Sequence, residues 1–360
     1  QVAQRTFESV LKLQSDFPDF IFSHSTPALY EWIEINRPDL FRAIQQQVAA
    51  GRWEVGAGLW VEPEFNLVAG EAIARQILYG QRYVREKFGT VSKVAWLPDS
   101  FGFCPQLPQL LRQGQIDYFV TQKLRWNDTT EFPYGLFWWE SPDGSRILSW
   151  MSPHIGQDID PVKMADYACE WEAKTGERES FWLPGVGDRG GGPTRNMLQA
   201  GDRWQSSPLF PQLQFSRATD YLDELARRSR DLPIWRDELY LEFHRGCYTT
   251  HADQKYWNRH CERSLYRAEL FASLATLVAD APYAKTKLEL AWKQVLFNQF
   301  HDILPGSAIP AAYAETDGAW QDAARVARGV LEKALGAIAS QIDCPTPPHP
   351  QAQPWLVWND

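Results

Sequence analysis

Val94-Ala95-Trp96-Leu97-Pro98-Asp99-Ser100-Phe101-Gly102-Phe103 is the stretch from which the fold can be read. An apolar run of strand length leads directly into a carboxylate, then a glycine turn, then a helical segment near Leu107. That is the order of a βα unit, and in sheets built from such units the carboxyl ends of the strands face the cleft. The alternation continues in both directions. Phe20-Ile21-Phe22 and Trp53-Glu54-Val55 read as short strands around helical segments from about Ala28 to Ala50, broken near Pro38. From Gly70 to Phe88, Ile73, Ile77, Val84 and Phe88 recur at helical spacing with charges between them. Tyr118-Phe119-Val120, Leu136-Phe137-Trp138-Trp139 and Ile147-Leu148-Ser149-Trp150 read as further strands, with helices near Met164 and Met197. The predicted class is α/β: an irregular, mostly parallel βα sheet or barrel over residues 1–247.

Beyond about Tyr248 the texture turns helical. Amphipathic stretches from Tyr256 to Val278 and from Thr286 to His301 precede an Ala-rich, proline-free stretch from Ala311 to Ile342. Short connections between three helices predict an antiparallel bundle over 248–343. Residues 344–360 read as a proline-dense linker and the opening of a β domain.

Composition narrows the function. The 360 residues carry a net charge of −9 and no long basic block, which argues against nucleic acid as a partner. No apolar run approaches the roughly 20 residues a membrane helix needs. Five scattered cysteines without a CxxC pair argue against a disulfide framework and for a reducing, cytoplasmic compartment. Aromatic content is high, with 17 Trp, 19 Phe and 13 Tyr. Such rings serve first as core, and those left over suit a sugar pocket. Self-association into a homo-oligomer is left open.

Four motifs bear chemistry. Asp99 sits where a βα loop would present it, though taken alone it is better read as the cap of the helix that begins near Pro105. In Asn298-Gln299-Phe300-His301-Asp302-Ile303-Leu304-Pro305-Gly306, adjacent His and Asp at a helix end could be a metal ligand and a substrate acceptor, or simply complement the helix terminus. Leu183-Pro184-Gly185-Val186-Gly187-Asp188-Arg189-Gly190-Gly191-Gly192-Pro193-Thr194 lets the backbone approach something closely, and without a following Lys-Ser/Thr it is no phosphate loop. Phe243-His244-Arg245-Gly246-Cys247-Tyr248-Thr249-Thr250 marks the change from sheet to helix.

Taken together, in this order, the four motifs resemble glycoside hydrolase family 38, the retaining α-mannosidases, and its bacterial, vacuolar and cytosolic members most. Gly58-Leu59-Trp60-Val61-Glu62-Pro63-Glu64 is similar to the family's pocket-wall segment. The resemblance implies that Asp99 is the nucleophile, forming a covalent mannosyl-enzyme, and also faces the metal. It implies that Asp188 is the general acid/base, His301 a zinc ligand, and Asp302 an acceptor for sugar hydroxyls. Lys123 matches a basic position near the nucleophile, and Trp60 and Tyr248 match substrate-contacting positions. Zn²⁺ is the implied cofactor, with Co²⁺ acceptable to the same donors, and the implied substrate is an α-mannoside or oligosaccharide. Retention needs two carboxyl groups about 5–5.5 Å apart, one ionised and one protonated. The axial 2-hydroxyl of mannose makes O2 and O3 a cis diol that a metal can chelate.

The family's His-x-Asp metal pair has no counterpart before Asp99. His251-Ala252-Asp253 reads as surface sequence starting a helix. Two further metal ligands are therefore expected upstream of Gln1, and the chain is expected to be a fragment, weakly active or inactive by itself. Two alternatives stand beside this reading. One is a metal-dependent carbohydrate deacetylase or other glycosidase on a related barrel; the other is a non-catalytic carbohydrate-binding module.

Overall fold

Short buried strands, helices started by proline and a few glycine turns generate the architecture of a computed structural model that describes residues 2–359 except 57, 188, 189, 230 and 347. The chain forms two compact units, residues 1–66 with 73–245, and residues 67–72 with 246–360.

In the first unit, helix α1 (Val2–Asp16) precedes β1 (Phe22–His24), which pairs in parallel with β2 (Trp53–Val55). The crossover is α2 (Pro27–Asn36) and α3 (Pro38–Ala49). Each begins on a proline, whose missing N–H costs nothing in a first turn, and Pro38 forces the break between them. Helix α4 (Gly70–Phe88) leads to β3 (Val94–Trp96), the edge of a five-stranded sheet. The short pair β4 (Gly102–Phe103) and, far downstream, β9 (Leu239–Tyr240) stands apart from it. Helix α5 (Leu107–Gln113) returns the chain to β5 (Tyr118–Thr121), which joins β3 in parallel, and β7 (Arg146–Met151) joins β5 in parallel.

The sheet is less uniformly parallel than the alternation of strands predicts. Strand β6 (Leu136–Glu140) is antiparallel to β7, and β8 (Ile234–Trp235) follows β6. Residues 141–145 are too few for a crossover helix, so these strands must form a hairpin. Gly144, at φ 86°, donates to the Ser141 carbonyl, while Asp143 accepts from the Ser145 backbone and hydroxyl.

Helices α6 (Pro161–Thr175), α7 (Arg195–Gln205) and α8 (Ala218–Arg228) complete the unit. Val94, Val120, Leu148 and Trp150 on one sheet face pack with Trp171 of α6 and with Leu222 and Leu225 of α8. On the other, Phe119 meets Phe103 at 4.9 Å and Trp139 at 5.0 Å between ring centres. The start of α8 is tied to β2 by a buried carboxylate. Glu54 accepts from Ala218 N at 2.8 Å and Thr219 N at 2.9 Å, and from the Ser23 hydroxyl at 2.8 Å.

The second unit contains three long helices, α9 (Ala252–Ala279), α10 (Lys285–Asn298) and α11 (Pro310–Ala339). Leu265 and Ala268 from α9, Trp292 and Val295 from α10 and Trp320 and Ala327 from α11 form the core, all 0% exposed. A polar ladder runs through it. Gln254 accepts from the Trp320 indole at 2.8 Å, while Asn258 and Glu262 accept from the Gln299 amide at 2.9 and 3.1 Å. These positions, four residues apart, share one face of α9. The sequence places the end of α10 at His301, but the helix closes at Asn298, and the turn that follows contains Gly306 at φ 98°. Among the described residues no helix is long and apolar enough to cross a membrane.

Trp150→Ala is expected to lower unfolding free energy by about 3–5 kcal/mol, because a fully buried indole leaves a cavity its rigid neighbours fill poorly. Urea unfolding followed by circular dichroism measures this; a loss under about 1 kcal/mol would contradict the packing described.

Candidate active site

Parallel strands deliver their carboxyl ends to the same side, and in the first unit those ends meet at one cavity. Asp99 lies just past β3, where Leu97 N still donates to the Val120 carbonyl. Gln122 and Lys123 follow β5, and Ile155 follows β7. Lys123 Nζ stands 3.0 Å from Asp99 Oδ1, and the Gln122 amide is 3.3 Å from the same oxygen. Gln122 in turn accepts from Ile155 N at 3.2 Å, linking the third loop to the first two.

Lys123 is enclosed. Its side chain is 7% exposed against 24% for Asp99, and its ammonium lies 3.5 Å from the centre of the Trp126 ring and 5.8 Å from that of Phe101. The ring faces and the carboxylate replace the water such a charge requires. Trp126 is steadied by its own loop. Asn127 accepts from Glu242 N at 2.7 Å, while Glu242 accepts from the backbone of Asp128 and Thr129 at 2.9 and 2.7 Å. These bonds hold the Glu242 carboxyl far below its usual range, the Thr130 side chain contributing most.

A second carboxylate backs the first. Glu62, 8% exposed, accepts from Asp99 N at 2.6 Å and Ser100 N at 3.1 Å. One of its oxygens lies within 4.8 Å of an oxygen of Asp99. Burial first, and then the Asp99 charge, pushes the Glu62 carboxyl well above its usual range. Asp99 and Glu62 together offer oxygen donors of the kind a divalent cation accepts.

Asp99 opens into a cavity of about 960 Å³ whose walls include Phe22, His24, Trp96, Phe181, Trp182 and Phe215. Glycines 185, 187, 190, 191 and 192 line it as well. The backbone approach foreseen from the glycine run is real: a Cβ on Gly156 would lie 2.5 Å from Gly187 Cα. Asp188 lies outside the described residues. Trp60 does not face this space; it is 2% exposed, with its ring edge against Tyr83 at 6.0 Å, because its backbone is pinned to α4 through the Gln76 carbonyl. It backs the wall.

The other sequence candidates belong to the second unit. His301, 7% exposed, lies in the turn after α10, its ring centre 4.1 Å from that of Phe300 and its Nε2 3.9 Å from Asp302 Oδ2. Asp302 is half exposed and accepts from the Ser307 hydroxyl at 2.8 Å. Tyr248 closes a single 3₁₀ turn and is partly exposed. His251 is the N-cap residue of α9, with its ring stacked on Tyr313 at 4.3 Å. Sequence reasoning passed over Glu62 and Gln122, although an acid inside the apolar run Leu59-Trp60-Val61-Glu62-Pro63 was a legible sign of a buried charge.

Comparison with known proteins finds two family models on this chain. The glycosyl hydrolases family 38 N-terminal domain matches residues 1–238, and the alpha mannosidase middle domain matches residues 242–338. Alpha-mannosidase 2C1 of Homo sapiens is 36% identical over 339 residues, covering 93% of this chain and 33% of that protein. Alpha-mannosidase of Saccharomyces cerevisiae is 36% identical over 331 residues, covering 86% of this chain and 30% of that protein. The chain thus spans about a third of the length of these curated relatives. Among solved structures, an alpha-mannosidase from Enterococcus faecalis V583 superposes with a TM-score of 0.77 at 21% identity, over 94% of this chain and 40% of that one. A 4-alpha-glucanotransferase from Thermococcus litoralis reaches 0.57 at 15% identity, over 92% and 54%. Likeness at these identities is likeness of fold.

One residue of the cavity wall yields a pH prediction. His24 Nδ1 is buried without a hydrogen-bond partner, and burial lowers the imidazole pKa from 6.5 to about 4. Between those values the unfolded chain binds the proton and the folded chain does not, so stability falls as pH drops from 6.5 towards 4. The loss is about 2–3 kcal/mol. Urea midpoints across this range should flatten in His24→Gln; an equal slope in both proteins would contradict the assignment.

Proposed function

We propose that this chain, which belongs to glycosyl hydrolase family 38, forms the catalytic α/β domain (1–247) and middle helical bundle (248–343) of a retaining α-mannosidase, with 344–360 as linker. The observation that carries the reading is the Asp99 carboxylate, presented by a parallel strand end, bonded to Lys123 and open to a large aromatic cavity. The substrate is an α-mannoside or mannose-terminated oligosaccharide, for which flat aromatic walls supply apolar contact to the sugar ring.

With Lys123 and Gln122 on Oδ1, the second oxygen of Asp99 is left to attack the anomeric carbon. The C1–O bond to the leaving group breaks as Asp188 delivers a proton to the departing oxygen, and Asp99 becomes bonded to C1. Asp188 then takes a proton from water, whose oxygen attacks C1 and releases Asp99 with net retention. Asp302 and Tyr248 accept or donate hydrogen bonds at the sugar hydroxyls. A zinc ion, or cobalt in its place, would be held by Asp99 and His301 and would supply chelation of O2 and O3. The crowding of carboxylates at Asp99 and Glu62 supports such a cation. A cytoplasmic location is proposed with it; the five cysteines are free thiols.

In the full-length enzyme, Asp99→Asn should lower kcat for an aryl α-mannoside by about 10⁴-fold, as expected when an attacking group is lost. Lys123→Ala should cost about 10²-fold through misorientation. A fluorinated mannosyl probe should label the peptide containing Asp99, and chelator-treated enzyme should recover activity with Zn²⁺. Labelling of any other residue, or full activity in Asp99→Asn, would overturn the assignment.

A further inference from the structure

Glu62 is placed as no packing role requires. A Glu inside an apolar segment must find donors when buried, and the donors it finds are the backbone N–H groups of Asp99 and Ser100, both on its Oε1. A third bond runs beside them, from the Ser100 hydroxyl to the Pro63 carbonyl at 2.7 Å. The segment carrying Glu62 is itself anchored. Trp60 N donates to the Gln76 carbonyl at 2.8 Å, and Val61 N to the Gln76 side chain at 3.1 Å; Gln76 is 0% exposed on α4. An unbroken series of short bonds therefore runs from α4 through 60–63 to the two peptide groups that set the direction of the Asp99 side chain.

We infer that Glu62 is a positioning residue for Asp99: it turns the 99–100 peptide groups inward, so that the carboxylate of residue 99 projects to the cavity and Lys123. The inference rests on the mannosidase reading for its catalytic consequence, not for its geometry. Two functions divide between the carboxylates. Asp99 offers Oδ1 to Lys123 and Gln122, while Glu62 spends Oε1 on the backbone. A displacement of about 1 Å at a reacting group costs on the order of 10²-fold in rate.

Glu62→Met in the full-length enzyme keeps volume and removes both acceptor oxygens; Glu62→Gln keeps one acceptor in place; Glu62→Asp keeps the carboxyl group but shortens the reach. Rates are taken per site trapped by the fluorinated mannosyl probe, so that misfolded protein does not count. Glu62→Met should lose about 10²-fold in kcat with KM changed less than about threefold. Glu62→Gln should stay within about tenfold of wild type, and Glu62→Asp should fall between, which keeps the comparison available should the Met variant not fold. Hydrogen exchange read at Asp99 and Ser100 is the second measurement: these amides should exchange at least about tenfold faster in Glu62→Met and Glu62→Asp, and at wild-type rates in Glu62→Gln. Should the wild-type enzyme hydrolyse no α-mannoside, the reading above fails and exchange alone decides the positioning role. Unchanged exchange at both amides, or kcat per trapped site within threefold of wild type in Glu62→Met, would overturn it.

Discussion

Parallel pairing of β3, β5 and β7 is the constraint on which the first unit depends. Strands that run the same way release their loops on the same side, and each loop must then satisfy its polar groups beside its neighbours. Asp99, Gln122, Lys123 and Ile155 meet because each follows such a strand end within four residues. The strands are three to six residues long, so no side chain at their ends lies far from the next. The aromatic surplus of the sequence is spent largely beneath this layer, where Trp139, Trp150, Phe103 and Phe119 are fully buried. Phe22, Trp96, Phe181, Trp182 and Phe215 line the cavity.

The site depends on polar groups that are buried and matched. Lys123 is held by a carboxylate and ring faces, Glu62 by two backbone amides, and Glu54 by the first turn of α8. Removing one partner from such an arrangement leaves the other unsatisfied, which costs more than the bond itself contributes. Rigidity follows from that asymmetry. The second unit uses the same device in a helical setting, where Asn258 and Glu262 fix Gln299 two residues before His301.

Much of this was legible in the sequence, and the reasons are specific. Strands such as Tyr118-Phe119-Val120 were visible because apolar runs of that length between helical periods have few other uses. The division of α2 from α3 was visible because proline leaves little choice. The hairpin of β6 and β7 was readable only from the five-residue gap, which the alternation of strands and helices masked. Two-residue strands such as β4, β8 and β9 have no periodicity to detect, and α8 was missed although Ala218, Tyr221, Leu222 and Leu225 recur at helical spacing. At the site, Asp99 announced itself by its position after a strand. Glu62 showed its burial through the apolar run around it but not its role, since its partners are backbone amides 37 and 38 residues away and no spacing rule encodes them.

The enclosure of Lys123 has a practical side. A lysine side chain at 7% exposure, roofed by an indole and paired with a carboxylate, is a poor target for reagents that acylate lysines. Coupling to a resin or a fluorophore through such reagents will fall on outward-facing amines such as Lys163 and leave Lys123 chemically intact.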